Sequence, residues 1–286
     1  MDLREYYGIE EDVEVSVRYI GKMDTYMEGI GYDIEDFWNL FYGENCSLIY
    51  FKDELNPTRV NRMFYGVNSK LIDIENINLE NVQSMDEMMM SSPNLIYGKV
   101  PYFDYKNKMS MRDMYASCGA LLVLDLRETN FENIRDMYQA FYQSKEIYNI
   151  KWPDGYDVIP TKNVTNMQAL LDGSKLSYLP ALDASGTDTW SNYGLFFSSD
   201  LNYLDRFGGL IGLKSKINSN YGCFNKCPKL NRQSYINLFN GLYDFTGNEE
   251  TPNSNQGILK LHSNYLKICT EDDINIAINK GWTLTT

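Results

Sequence analysis

Apolar residues recur along this chain on a long, regular beat. Leucine or isoleucine stands at Leu48, Leu71, Leu95, Leu121, Ile147, Leu176 and Leu201, in steps of 23, 24, 26, 26, 29 and 25 residues. Each opens a motif of the form apolar, two variable residues, apolar, as in Leu71-Ile-Asp-Ile74, Leu121-Leu-Val-Leu124 and Leu201-Asn-Tyr-Leu204. Ahead of each leucine a second pattern repeats: Arg62-Met-Phe-Tyr-Gly66, Met85-Asp-Glu-Met-Met89, Met111-Arg-Asp-Met-Tyr115, Met137-Tyr-Gln-Ala-Phe141 and Met167-Gln-Ala-Leu-Leu171. Its apolar residues fall at i, i+3 and i+4, the spacing of one helix face. Asn81, Asn133 and Asn163 stand just ahead of such faces, and asparagine is a favoured helix N-cap. The predicted unit is a cap, about two turns of helix, a short turn and a strand. Self-similarity at this period predicts an α/β solenoid with short parallel strands on one face and short helices on the other, in which each unit buries its apolar face against its neighbours.

The methionines fit this picture. Ten of the thirteen lie between Met63 and Met167, most of them at the helix positions, so the spacing assigns them to irregular core filling rather than to a soft binding groove. Asn45-Cys-Ser47 and Asn163-Val-Thr165 match the glycosylation acceptor pattern. No secretory signal precedes them, and both are expected as turn and cap residues.

Asn163-Val-Thr-Asn-Met167 and Met63-Phe-Tyr-Gly66, each with the leucine that follows it, resemble the BspA-like class of leucine-rich repeats. The segment from Cys227 to Asp244 looks like the terminal unit of that family as it occurs in bacteriophage virion proteins, and so does Thr270 to Leu284. The resemblance runs from roughly Asp36 to the C-terminus. The chain departs from the pattern in its middle repeats, notably an insertion around Pro153-Asp-Gly-Tyr-Asp-Val158. The resemblance implies a leucine-rich repeat solenoid with N- and C-terminal caps. It also implies a non-enzymatic structural protein of a phage tail, baseplate or fibre, folded in the host cytoplasm and carried in the virion.

Three segments follow. Residues 1–34 lie outside the repeats; Val13–Tyr19 alternates apolar and polar like a strand, and the segment is expected to cap the first repeat or to attach to another subunit. Residues 35–222 carry the repeats. Residues 223–286 form a last repeat and cap: Tyr235, Leu238, Phe239 and Leu242 are at helical spacing, Ile258–Leu261 reads as a strand, and Thr270 with Asp273 has the form of a capping box closed by Gly281. A polar stretch, 247–256, reads as a loop.

Net charge is −13 with a pI near 4.6. That argues against nucleic acid, whose phosphates demand clustered Lys and Arg, and against an anionic membrane surface. No apolar run of about 18 residues is present to span a bilayer, and the acidic start, Met1-Asp-Leu-Arg-Glu, is not a secretory signal. The five cysteines (Cys46, Cys118, Cys223, Cys227, Cys269) are scattered and odd in number, which is not a disulfide framework. Cys46 and Cys118 read as small buried fillers. Cys223 and Cys227 lack further ligands at matching spacing, so no metal is expected.

Nor does a catalytic constellation emerge. His262 is the single histidine and reads as structural. Gly208-Gly-Leu-Ile-Gly-Leu-Lys-Ser215 misses the phosphate-loop pattern because Leu213 separates Gly212 from Lys214; it reads as a tight repeat turn. No carboxylate pair is singled out for glycosidase chemistry. The expectation is no enzyme, no cofactor and no metal.

Binding is the remaining class. In the strand motif the residue two past the leucine is expected to point away from the core, giving the column Tyr50, Asp73, Tyr97, Val123, Asn149, Tyr178 and Tyr203. A mixed-charge column lies two residues further on. Tyrosines beside charges resemble the makeup of a protein interface. The expected partners are other virion proteins or a host surface receptor, within a homo- or hetero-oligomeric assembly. The alternatives are a bacterial cell-surface or secreted leucine-rich repeat adhesion protein and, third, a virion-associated carbohydrate-degrading enzyme.

Overall fold

The computed structural model describes residues 38–39, 41–43, 45, 48–49, 56–103, 109–185, 201–213, 224–247 and 257–286. The expected N-terminal cap, Tyr50, Cys46 and Cys223 lie outside the described residues, as does most of the polar loop 247–256.

Short strands dominate: β1 (Leu48–Ile49), β2 (Leu71–Ile72), β3 (Tyr97–Lys99), β4 (Met109–Ser110), β5 (Val123–Asp125), β6 (Ile134–Asp136), β7 (Asn149–Lys151), β8 (Val158–Ile159), β9 (Tyr178–Leu179), β10 (Ala181–Asp183), β11 (Arg206–Phe207), β12 (Leu210–Ile211), β13 (Ile258–Lys260) and β14 (Thr283–Thr285). Every strand pairing among the described residues is parallel: β1 with β2, β3 with β5 and β5 with β7, β4 with β6, β8 with β10 and β10 with β12, β9 with β11, β13 with β14. Leu48 faces Leu71, and Tyr97 faces Val123, which faces Asn149. Each repeat therefore bonds to the next through residues one period away, because a two- or three-residue strand has no partner within its own unit.

The predicted repeat helices are replaced by turns. Among the described residues, α-helix is confined to α1 (Arg232–Gly241), α2 (Tyr265–Ile268) and α3 (Glu271–Ile278), with one 3-10 turn at Phe131–Asn133. Met85–Ser91 shows why. The amides of Met85, Glu87, Met89 and Ser91 donate to the carbonyls of Ser110, Arg112, Met114 and Ala116 in the next repeat, each at 2.8 Å, while Met88 and Met90 close tight turns onto Met85 and Glu87. This alternation needs left-handed residues four apart. They form two columns, Arg62, Glu87, Asp113, Gln139, Ala169 and Gly66, Ser91, Ser117, Gln143, Gly173, with φ between 51° and 85°. A two-turn helix is marginal alone; the neighbouring carbonyls satisfy the same amides and hold the stack together. The inward side chains are still those at i, i+3 and i+4: Met85, Met88 and Met89 are buried, as are Met111, Met114 and Tyr115.

The caps also move. The first turn amides of Asp86, Tyr138 and Gln168 are accepted by Ser84 Oγ (3.0 Å), Asp136 Oδ1 (2.9 Å) and Asn166 Oδ1 (3.1 Å). They are not accepted by Asn81, Asn133 or Asn163; the Asn163 amide instead donates to Glu132 O at 2.7 Å. A column of buried donors closes three of the turns. Ser92, Cys118 and Ser144 donate to the carbonyls of Phe64, Met89 and Tyr115 at 3.0, 3.1 and 2.6 Å. Cys118 is thus a donor in a serine column rather than mere filler, and burial pushes its thiol up to about 12, which keeps it protonated and unreactive.

One continuous core runs from Ile49 through the repeats to Trp282. The C-terminal unit closes it with helices where the spacing predicts them. Asn231 accepts from the Ser234 amide at 2.9 Å to start α1. Thr270 and Asp273 make the reciprocal capping box of α3. Arg232 ties the two helices together through bonds to both Asp273 oxygens, at 2.8 and 3.0 Å. The Lys280 ammonium caps the end of α1 by donating to Phe239 O and Leu242 O at 3.1 and 3.2 Å. Gly241 has to be glycine, since a β-carbon there would fall 1.9 Å from Leu210 O. Strand β14 falls outside the elements that the spacing predicts; it lies parallel to β13 and completes the cap.

Candidate functional site

The strand face divides in two. Toward the N-terminal side, Leu71, Ile96, Tyr97, Leu122 and Val123 form a second, smaller apolar cluster on the opposite side of the strands from the main core. Tyr97 is 5% exposed and Val123 is fully buried, so these two do not offer the outward surface expected of them. Toward the C-terminal side, Tyr178 and Tyr203 are 41% and 46% exposed. Asp73 and Asn149 are half-buried.

The register differs from the expected one as well. Ile96 donates to Lys70 O, Leu122 to Ile96 O and Tyr148 to Leu122 O. By this ladder Leu71 aligns with Tyr97, Val123 and Asn149. The position of Leu95, Leu121 and Ile147 is filled by Ser69, which is buried and donates to Leu71 O at 2.8 Å. Asp73 then belongs with Lys99, Asp125 and Lys151, a column of alternating charge. Likewise Tyr178 lies in register with Arg206, not with Tyr203. A leucine is conspicuous in sequence and a buried serine is not, which is why counting leucines slips the register there.

The charges at the centre of this column are matched by side chains beside it. Asp125 is buried and accepts from the Tyr97 hydroxyl at 2.8 Å and from Arg127 Nε and Nη2 at 3.0 and 2.6 Å. Burial pushes its carboxyl upward, but the Arg127 and Tyr97 bonds outweigh it and hold the group below the ordinary range. Lys99 is partly desolvated yet is held above its usual value by Glu75 and Glu128, at 2.9 and 3.2 Å. Burial lowers Lys151, partly countered by Asp125. Burial and the Asp125 bond push the Tyr97 phenol far up. The Tyr115 hydroxyl donates to Lys99 O at 2.6 Å and accepts from Lys99 N at 3.0 Å. Such a network fixes strand register rather than leaving a group free for chemistry.

The exposed part is organised differently. The Arg206 guanidinium lies 5.0 Å from the Tyr178 ring centroid, and the Lys229 ammonium 4.7 Å from that of Tyr203. Each tyrosine is steadied by a cation on its face while remaining open to solvent, the arrangement of a rigid aromatic anchor. The two tyrosines are legible in the strand motif; their cations stand 28 and 26 residues further along, about one period away, and carry no local signal.

Elsewhere, His262 Nδ1 accepts from the Asn264 amide at 3.2 Å. Among the described residues no group of three or more His, Cys, Asp or Glu is placed to hold a metal ion, and no helix is long and apolar enough to cross a membrane.

Residues 58–178 match the model of a family described as "Mycoplasma protein of unknown function, DUF285". The match supports a repeat of the BspA-like kind over that stretch; it extends to neither Tyr203 nor the C-terminal helices. No curated protein and no solved structure matches the chain.

Proposed function

We propose that the protein is a non-enzymatic leucine-rich repeat solenoid that mediates protein–protein contact as a structural component of a bacteriophage particle, in its tail, baseplate or fibre. The unit-to-unit parallel ladders and the twin columns of left-handed turn residues support the solenoid reading. The observation that carries the binding role is the pair of exposed, cation-steadied tyrosines, Tyr178 with Arg206 and Tyr203 with Lys229. The similarity of the segments Cys227–Asp244 and Thr270–Leu284 to the terminal unit of virion repeat proteins supports the particle assignment. Partners are other virion subunits or a host surface receptor. Mass spectrometry of purified particles tests the location: the protein is expected there in stoichiometric amount, and its absence overturns the reading. Replacing Tyr178 and Tyr203 together by alanine is expected to abolish partner binding or assembly with the circular dichroism spectrum unchanged; full assembly of that variant removes the face as the interface.

A second reading is a bacterial cell-surface or secreted repeat adhesion protein; the family description names a bacterial source and no activity. Labelling of the protein on intact cells by a membrane-impermeant amine reagent, together with absence from particles, selects it.

A further inference from the structure

The turn columns step by 25 or 26 residues from Arg62 to Gln139 and then by 30 to Ala169. The extra residues include the turn between β7 and β8, with Gly155 at φ 81° in open space and Tyr156 beside it. Extra chain of this kind adds nothing to the period, and surface loops on a rigid scaffold are where function concentrates. The loop forms one wall of an open cleft of about 640 Å³, within the size range of small-molecule sites. Tyr102, on the stretch after β3, lines the same cleft.

Tyr102 and Tyr156 are 61% and 54% exposed. No ring stacks on either among the described residues, and no hydrogen bond there engages their hydroxyls. Both therefore present bare aromatic faces. Arg127, Glu128, Asn130 and Asp154 line the same cleft. Arg127 is half exposed but held in place by its two bonds to Asp125, and Glu128 is held by Lys99 at 3.2 Å. No hydrogen bond occupies the Asn130 or Asp154 side chains among the described residues.

We propose that this cleft is a binding site for a neutral oligosaccharide. A sugar ring has an apolar C–H face and a rim of hydroxyls that each donate and accept. The tyrosine faces suit the former; the held Arg127 guanidinium and Glu128 carboxylate, with the uncommitted Asn130 amide and Asp154 carboxylate, suit the latter. Carboxylates outnumber the guanidinium, so an acidic glycan or nucleic acid is disfavoured. A peptide anchor calls for a packed, desolvated pocket, whereas both rings here stand more than half exposed. The inference does not rest on the proposed scaffold role, which uses Tyr178 and Tyr203.

Saturation-transfer difference NMR of the whole protein with cellohexaose, maltohexaose and the hexamer of N-acetylglucosamine tests it. At least one is expected to bind, with transfer strongest at the ring C–H protons. Tyr102→Ala and Tyr156→Ala should each weaken binding by about tenfold or more, the double variant should abolish it, and Tyr156→Trp, which keeps a ring, should retain it. Tyr178→Ala with Tyr203→Ala should leave it unchanged, which separates this site from the strand face. The proposal is overturned if none of the three binds, if binding survives loss of both cleft tyrosines, or if the cleft instead selects peptides from a random library.

Discussion

The turn around Met88 and the helix around Leu238 bury the same kind of triplet. Met85, Met88 and Met89 stand at i, i+3 and i+4, and so do Tyr235, Leu238 and Phe239; all six are buried. Their backbones bond in different directions. In the repeat, the Met89 amide reaches 2.8 Å across to Met114 in the next unit. In α1, the Tyr235 amide turns back to Asn231 O within its own segment at 3.3 Å. What differs is the supply of partners. The repeat has a neighbour one period on whose carbonyls are in register. Helix α1 is ten residues long and starts on an asparagine cap, so it satisfies itself. Apolar spacing selects which side chains point inward; the nearest available carbonyl selects the backbone.

The largest expected effect comes from breaking the stack between neighbours. Phe141 packs against Tyr115 of the preceding unit, ring centroids 6.4 Å apart, and is fully buried. Phe141→Ala should cost about 3–5 kcal/mol in chemical denaturation. In a structure summed from unit-to-unit contacts, lost amide protection should concentrate in the repeats around it, with α1 amides changing less. Equal loss in both regions would make the two a single cooperative body.

Glycine should act with opposite sign in the two regions. Gln139 is held at φ 51°, a conformation that costs an ordinary residue roughly 1 kcal/mol. Gln139→Gly should therefore be about 1 kcal/mol more stable than Gln139→Ala. In the middle of α1, Ile236→Gly should be about 1 kcal/mol less stable than Ile236→Ala. A loss on glycine at position 139 would deny the left-handed turn.

Acid should also separate the regions. Asp113 in the turn column is pushed up to about 6 by burial and by Glu87, with Asp86 and Asp136 adding to the effect and Arg112 opposing it. Its folded value is above its unfolded one, so the folded state binds the proton first. Its cost to stability is present above about pH 6 and fades as pH falls toward 4. Asp113→Asn should stabilise by about 1 kcal/mol at pH 7, after allowance for solvent screening, and by little at pH 4. Asp273 is the reverse case. The bond from Arg232, followed by the Thr270 amide, holds it down at about 2. Its contribution is present at neutral pH and is lost as pH falls from 4 toward 2. Asp273→Asn should flatten that acid limb, read from thermal unfolding across the range.

Much of the core was legible in the sequence, because burial follows the apolar period directly: Met85, Met111, Met137 and Met167 are all inward. The helices α1 and α3 were legible because their caps, Asn231 and Thr270, are local signals. The repeat turns were not, since spacing alone does not say that a neighbouring unit will supply carbonyls. A signal did exist, in the glycines at Gly66 and Gly173 that share one column with Ser91, Ser117 and Gln143. The candidate face was half legible. Tyr178 and Tyr203 are exposed, whereas Tyr97 and Val123 are covered by a second apolar cluster that a strand read as one-sided does not anticipate. Another unheralded feature is the asparagine column, in which Asn94 donates to Asn68 and Asn68 to Asn45 at 3.0 Å; its spacing of 23 and 26 residues is visible in the sequence only once the register is known.

The most direct test of the account is scalar coupling across hydrogen bonds in the isotope-labelled protein. Coupling between the Met89 amide nitrogen and the Met114 carbonyl carbon, and between those of Tyr115 and Ala140, is the predicted result. Coupling from Met89 back to Met85 would place a helix there and contradict it.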